Sequence, residues 1–199
     1  MNRQTMLRNL TPLFAALLVL TACNDSAPAE PPLAGAAIGG DFTLTGEDGQ
    51  KVSWNDFKGK YRTVYFGYTY CPDVCPVDNQ RAMAGVKAFE KNHPKLGAKI
   101  QPLFISVDPG RDTPAVLEEF TANFHPRLLG LTGTKEQIDA ITGAFAATYS
   151  IGEKQDGGGY LVGHTNITYL FGPEGEPLAI LPTDEGPEAV AAELEKWVH

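Results

Sequence analysis

One stretch limits the possible folds of this chain more than any other: Thr63-Val64-Tyr65-Phe66-Gly67-Tyr68-Thr69-Tyr70-Cys71-Pro72-Asp73-Val74-Cys75-Pro76. Its first half is apolar, β-branched and aromatic, which predicts a buried strand from Arg62 to Gly67. After it, Val77 to Asn92 carries Met83, Val86 and Phe89 at helical spacing, with Ala82 and Ala88 between them, and Pro94 stops the run. Cys71 and Cys75 therefore stand at a strand-to-helix turn. Pro72 and Pro76 argue against a regular helix through both, so the helix is expected to begin at Pro76. Two thiols at such a turn can exchange electrons as a dithiol and disulfide, or hold a soft metal as thiolates. A helix N-terminus favours thiolate, which serves both chemistries, so the local physics does not choose.

The rest of the chain supplies the frame. Phe42–Thr45 and Lys51–Trp54 flank Gly46-Glu47-Asp48-Gly49, the pattern of a hairpin, and Asn55–Gly59 reads as a turn. Ile100–Val107 is a buried-type strand. Asp112-Thr113-Pro114 opens a helix whose face carries Leu117, Phe120 and Phe124. Arg127–Leu131 is a short strand, and Thr134 caps a helix to Ala147 with Ile138, Ile141 and Phe145 as its apolar stripe. Gly152–Gly159 is a polar, glycine-rich loop. Leu161–Phe171 and Leu178–Leu181 read as strands around the turn Gly172–Gly175, and Gly186–Val198 closes the chain as a helix. Strands alternating with helices give a central sheet with helices on both faces. The order is that of an α/β, thioredoxin-like domain with an N-terminal β-hairpin and a strand–helix insertion. In such sheets function gathers at the carboxyl ends of the strands, where Cys71 and Cys75 lie.

The N-terminus is read apart from the fold. Arg3 and Arg8 precede a short apolar core, Leu13–Leu20, and Leu20-Thr21-Ala22-Cys23 ends in small residues before a cysteine. This is the layout of a secretory signal over residues 1–22, too short for a spanning helix of about 20 apolar residues. The ending resembles a bacterial lipobox, which implies cleavage before Cys23 and lipidation of that cysteine. The mature protein would then be anchored to a membrane of the bacterial cell envelope, with its domain on the periplasmic side. Residues 23–39, rich in Ala and Pro, read as the lipidated cysteine and a flexible tether, and 40–199 as the folded domain. The chain carries a net charge of −8, more negative once the two leader arginines are gone. That balance argues against nucleic acid and against electrostatic binding to anionic lipid.

Of three cysteines, lipidation would use one. A bridge between Cys71 and Cys75 would close too short a loop to stabilise the fold much. Zinc in a structural site asks for four ligands, and no further cysteine is available. Two thiolates and one imidazole would make a low-coordinate soft site, which suits copper. Among the four histidines, His93 and His125 precede prolines and His199 ends the chain. His164 follows the glycine-rich loop and opens the strand Thr165–Phe171, which in a thioredoxin-like sheet starts beside the cysteine turn. It is the candidate third ligand.

Three separated stretches resemble the SCO/SenC family: Phe66–Pro76, Ser106-Val107-Asp108-Pro109-Gly110-Arg111-Asp112-Thr113-Pro114, and Tyr160–Thr165 with Tyr169–Gly175. The resemblance runs from about Gly40 to Val198. It implies a membrane-tethered, thioredoxin-fold copper protein that helps assemble the copper centre of cytochrome c oxidase. It also implies Cys71, Cys75 and His164 as ligands for copper, as Cu(I), Cu(II) or both. The implied partners are the copper-bearing oxidase subunit and, beyond it, another periplasmic copper chaperone or a thiol reductase. Some members are thought instead to reduce cysteines of the oxidase subunit or of another chaperone. The family often has an acid before the histidine; Gly163 stands there in this chain. Asp73 is a second carboxylate near the turn. Asp108, Arg111 and Asp112 could support the site or form a local turn and helix cap. A general thiol–disulfide oxidoreductase would need the same cysteines without the histidine. A thiol peroxidase is a further alternative: peroxiredoxins, by resemblance, carry a threonine three residues before the reactive cysteine, where this chain has Tyr68, with Thr69 one step off.

Overall fold

In the computed structural model, residues 30–155 and 157–199 are described; the expected leader and Cys23 lie outside them. A seven-stranded sheet runs in the order β2-β1-β5-β4-β3-β8-β9. Its centre is parallel: β3 (Tyr61–Gly67), β4 (Ile100–Ser106) and β5 (Leu129–Thr132). The hairpin β1 (Thr43–Gly46) and β2 (Lys51–Ser53) adds antiparallel to β5. At the other side β8 (Thr168–Phe171) and β9 (Pro177–Leu181) follow antiparallel. The helices are α1 (Val74–Asn92), α2 (Pro94–Gly97), α3 (Pro114–Ala122), α4 (Lys135–Ala144) and α5 (Pro187–Trp197).

All seven residues of β3 are buried, as a central strand covered on both faces requires. Alternation sorts the side chains. Tyr65 stacks on Phe104 at 6.2 Å, and Phe104 meets Phe120 of α3 at 4.9 Å, on the face that also carries α1. Phe66 points the other way and meets Phe145, at the end of α4, at 5.6 Å. Trp54 and Phe171 join that second cluster 5.3 Å apart. Buried Arg62 lies 4.4 Å over Trp54 and donates from Nη1 to the Gly172 carbonyl at 2.9 Å. Helices α1 and α5 pack side by side because Gly85 has no side chain: a Cβ there would come within 2.5 Å of Val190 Cγ1.

Four expectations change. Helix α1 starts at Val74 rather than Pro76; Pro76 is tolerated because first-turn amides have no intrahelical partner anyway. The expected strand Leu161–Phe171 is two strands. Its first part, β7 (Val162–His164), pairs with β6 (Tyr149–Ile151) in a separate two-stranded ribbon, and the chain breaks at Thr165–Ile167 before β8. So His164 ends a ribbon strand and does not open a strand of the main sheet. Helix α4 stops at Ala144, short of Ala147, with Ala146 left-handed at φ 51° and the Ala147 amide bonding back to the Thr142 carbonyl at 2.8 Å. Finally, the expected tether is not uniform through Gly39. The Leu33 amide donates to the Leu178 carbonyl at 3.0 Å, the Gly39 amide donates to the Ala144 carbonyl at 2.9 Å, and Leu33 and Ile38 pack on the core. Among the described residues no helix is long and apolar enough to cross a membrane.

Candidate metal centre

The carboxyl end of β3 and the first turn of α1 place the cysteines. Gly67 is the last residue of β3, and a Cβ there would come within 3.0 Å of Cys75 Sγ. Cys75 is thus pressed against the strand end and fully buried. Asp73, at the N-cap position, makes no side-chain cap. Cys71 Sγ takes that place and accepts the Cys75 amide at 3.4 Å. Cys71 itself is half-buried, and both cysteines are free thiols.

The ribbon supplies the third group. His164 Nε2 lies 3.1 Å from Cys75 Sγ, and Nδ1 lies 3.1 Å from the Thr165 carbonyl oxygen. A carbonyl can only accept, so Nδ1 carries the proton and Nε2 presents a lone pair to the sulfurs. An orienting partner for a ligating imidazole is commonly a carboxylate or a backbone carbonyl. Here the Thr165 carbonyl does that work, so an acid at position 163 is not needed for it. Gly163 is exposed and its missing Cβ would face Ser150 Oγ at 3.0 Å, on the side of the strand opposite His164. The sulfurs of Cys71 and Cys75 and a His164 ring nitrogen all lie within 4.8 Å of one another.

Burial sets the electrostatics. It pushes the Cys75 thiol well above the ordinary range, and the bond from the Tyr68 amide opposes that only in part. Burial also raises Tyr65, whose hydroxyl donates to Asp78 at 3.2 Å. The rings of Tyr65 and Tyr68 stand edge-on to His164 at 6.0 and 5.8 Å. The pocket is therefore dry on the Cys75 side and open on the Cys71 side.

Asp108, Arg111 and Asp112 form a support, while the cap of α3 is Thr113. Asp112, fully buried, accepts from Thr69 Oγ1 at 2.7 Å, from the Thr69 amide at 3.1 Å and from Ser106 Oγ at 2.6 Å. It ties the cysteine turn to the end of β4. Burial pushes its carboxyl up, against the pull of those donors. Asp108 accepts from Tyr160 Oη at 2.7 Å and pairs with Arg111. Asp73 is exposed and is not part of the ligand group. The other histidines stand elsewhere: His93 near Glu195 at 3.4 Å, buried His125 near Glu90 at 3.3 Å, and His199 by Tyr61. The sequence reading missed Tyr65, Asp78, Tyr160 and the Thr165 carbonyl. No spacing rule flags them, because each reaches the site from a different element.

Fold and site together define a thioredoxin-fold protein with a two-sulfur, one-nitrogen group at the carboxyl ends of its strands. The family model described as SCO1/SenC matches residues 30–199, and the chain belongs to that family. Protein SenC of Rhodobacter capsulatus is 47% identical over 158 residues, covering 79% of this chain and 69% of SenC. The mitochondrial SCO1 homolog of Homo sapiens is 38% identical over 159 residues, covering 79% of this chain and 52% of that protein. This chain thus spans about half the length of that mitochondrial relative. Among solved structures, Arabidopsis thaliana ScoI with copper bound aligns at a TM-score of 0.74 and 35% identity, over 80% of this chain and 97% of that one. Bradyrhizobium japonicum ScoI with copper bound aligns at 0.73 and 34%, over 81% and 100%. The thioredoxin domain of a thiol–disulfide oxidoreductase from Bacteroides vulgatus, at 20% identity and a TM-score of 0.57 over 83% and 98%, shares the fold.

Proposed function

We propose that this protein is a copper chaperone that binds one copper ion through Cys71, Cys75 and His164 and serves assembly of the copper centre of cytochrome c oxidase. The convergence of two sulfurs and one imidazole nitrogen within 4.8 Å carries the reading. Soft thiolates with one imidazole are donors that copper favours, and the ScoI proteins named above hold copper. Cu(I) binding releases one proton from each thiol, and Nε2 of His164, with Nδ1 held by the Thr165 carbonyl, exchanges its contact with the Cys75 thiol for the ion. Cys71, the more exposed sulfur, is where a recipient's ligand can bind first while Cys75 and His164 still hold the ion. Tyr70, Val74, Val77, Ile151 and Leu161, exposed on the two segments that carry the ligands, give a recipient protein an apolar rim to meet. The copper-bearing oxidase subunit fits that role, and another periplasmic copper chaperone or a thiol reductase would supply the ion or the reduced thiols.

The anchor belongs to the same proposal. Cleavage before Cys23 and its lipidation would hold the domain on the periplasmic side. A SCO1/SenC family lipoprotein from Bacillus anthracis, 25% identical at a TM-score of 0.66, supports this. The chain reaches the domain at Leu33, against the start of β9 and so at the pole opposite the cysteines. The metal end would therefore face away from the point of attachment.

A second reading, reduction of disulfides in the oxidase subunit or another chaperone, is favoured by one observation: both thiols are free and their sulfurs lie within 4.8 Å of each other. Copper titration of reduced and oxidised protein separates the readings. One tightly bound copper per reduced chain, lost on oxidation of Cys71 and Cys75, supports the chaperone. Absence of tight copper binding by the reduced chain leaves the reductase.

A further inference from the structure

The ligands come from two separate pieces of backbone, the cysteine turn and the β6–β7 ribbon, and the ribbon is not hydrogen-bonded into the main sheet. We propose that Arg111 and Tyr160 form a clasp that holds the ribbon, and with it His164, against the cysteine turn, and that opening this clasp is how the site releases its ion. The release half rests on the copper reading above; the clasp half does not.

Tyr160 lies four residues before His164, between the glycine-rich loop and β7. Its ring lies 3.7 Å from the Arg111 guanidinium carbon. The same guanidinium faces Tyr70 at 5.0 Å and Tyr68 at 5.6 Å, both on the cysteine turn. One cation thus sits between aromatic rings from both halves of the site. Asp108 fixes it from below: it is buried, pairs with Arg111, and accepts the Tyr160 hydroxyl at 2.7 Å. Asp108 is itself set in the turn after β4 by its amide, which donates to Ser106 Oγ at 3.0 Å.

Two features make this a releasable contact and not simply packing. Arg111 Nη2 is buried with no hydrogen-bond partner among the described residues. The guanidinium is thus held by Asp108 and by ring faces, with no hydrogen bond at Nη2. The loop before Tyr160 has left-handed glycines, Gly157 and Gly158, with φ of 101° and 88° and nothing within 4 Å of where a Cβ would be. Within the ribbon the Thr165 amide donates to the Thr148 carbonyl at 2.9 Å; its remaining ties to the domain are Tyr149 Oη donating to Asp139 at 2.6 Å, the buried Val162 side chain, and His164 Nε2 at 3.1 Å from Cys75 Sγ. Loss of the clasp would therefore loosen the end of the ribbon that carries the imidazole, with Val162 and Tyr149 as its remaining anchors, while Asp112 still holds the cysteine turn. Arg111 and Tyr160 are positioning residues: they act on His164 through the ribbon.

The test is hydrogen exchange on the reduced, metal-free full chain, comparing wild type with Arg111→Gln and Tyr160→Phe. In Arg111→Gln, amides of Val162–His164 should exchange roughly three- to thirty-fold faster, the range a cation–π contact at such a site is worth. Amides of β4 should be unchanged. Tyr160→Phe keeps the ring under the cation but loses the bond to Asp108, and should lie between. Loss of Cu(I) to a soluble chelator should quicken in the same order. Ribbon exchange equal to wild type in Arg111→Gln overturns the clasp, as does equal acceleration of ribbon and β4, which would mean general destabilisation. A loosened ribbon with unchanged copper loss overturns the release step. Failure of wild type to bind copper defeats the copper reading, while the metal-free exchange still decides the clasp.

Discussion

Replacing Gly67 by alanine probes how tightly the strand end and the metal site are built into each other. A Cβ at this position would meet Tyr65 Cε1 at 2.8 Å, Cys75 Sγ at 3.0 Å and Phe104 Cε2 at 3.0 Å. None of these can retreat easily, since Tyr65 is 3% exposed and Cys75 and Phe104 are 0% exposed. Overpacking of this kind costs about 1–3 kcal/mol. Alanine returns about 0.4–1 kcal/mol by restricting the unfolded chain, leaving a net loss of about 0–2.6 kcal/mol, centred near about 1.3. At about 2–4 °C per kcal/mol for a domain of this size, the melting temperature of the reduced, metal-free protein should fall by about 3–5 °C at that centre and by no more than about 10 °C. Copper affinity should fall too, because the sulfur must move from its place beside His164. Gly143→Ala is the control. Gly143 is an exposed position of α4 with nothing within 4 Å of the new methyl, and the substitution should stabilise by about 0.5–1 kcal/mol. Melting by calorimetry and copper titration read both variants. If Gly67→Ala melts and binds copper like wild type, Cys75 is not held by close contact with the strand end.

The two thiols should differ in reactivity: iodoacetamide at neutral pH should label Cys71 faster than buried, thiol-raised Cys75 by about tenfold or more, read by peptide mass spectrometry, and equal labelling would contradict the burial asymmetry. Burial lowers the pKa of His125 from 6.5, against the opposing pull of Glu90 and with Arg127 and Lys87 adding to the lowering. The unfolded chain then takes up the proton first, so the stability from neutral His125 is full above about 6.5 and is lost as pH falls through the folded pKa; His125→Gln should flatten the fall in denaturant midpoint between about pH 7 and 5. Cys23→Ser should abolish membrane attachment or leader processing while the folded domain is unchanged, and a processed variant that stays in the membrane fraction would count against lipidation.

Much of this was legible in the sequence because it is local. The β3 run, the helix periodicities and the hairpin glycines each carry their own signal, and the structure follows them within a few residues. Cys71 and Cys75 declared themselves by standing at a strand-to-helix turn. His164 lies beside the cysteines, at 3.1 Å from Cys75 Sγ, but as the end of a ribbon strand and not at the start of a strand of the main sheet. Leu161–Phe171 looked like one strand because its residues are β-formers throughout; whether they pair with β3 or with Tyr149–Ile151 depends on partners far away in sequence. Three-residue strands such as β6 leave almost no periodicity to read. The role of Asp112 could not be resolved from a motif that fits a cap equally well; only burial beside Thr69 and Ser106 decides it. The Ala/Pro-rich segment up to Gly39 looked like spacer by composition, yet Leu33 and Ile38 find the core.

X-ray absorption at the copper edge, on Cu(I)-loaded wild type and His164→Ala, tests the ligand set most directly. The expected wild-type first shell is two sulfurs with one nitrogen whose outer-ring scattering marks an imidazole. In His164→Ala that imidazole signature should vanish, the two sulfurs should remain, and affinity should drop. An unchanged spectrum and affinity in the variant, or a wild-type shell without two sulfurs, would contradict a copper site built from Cys71, Cys75 and His164.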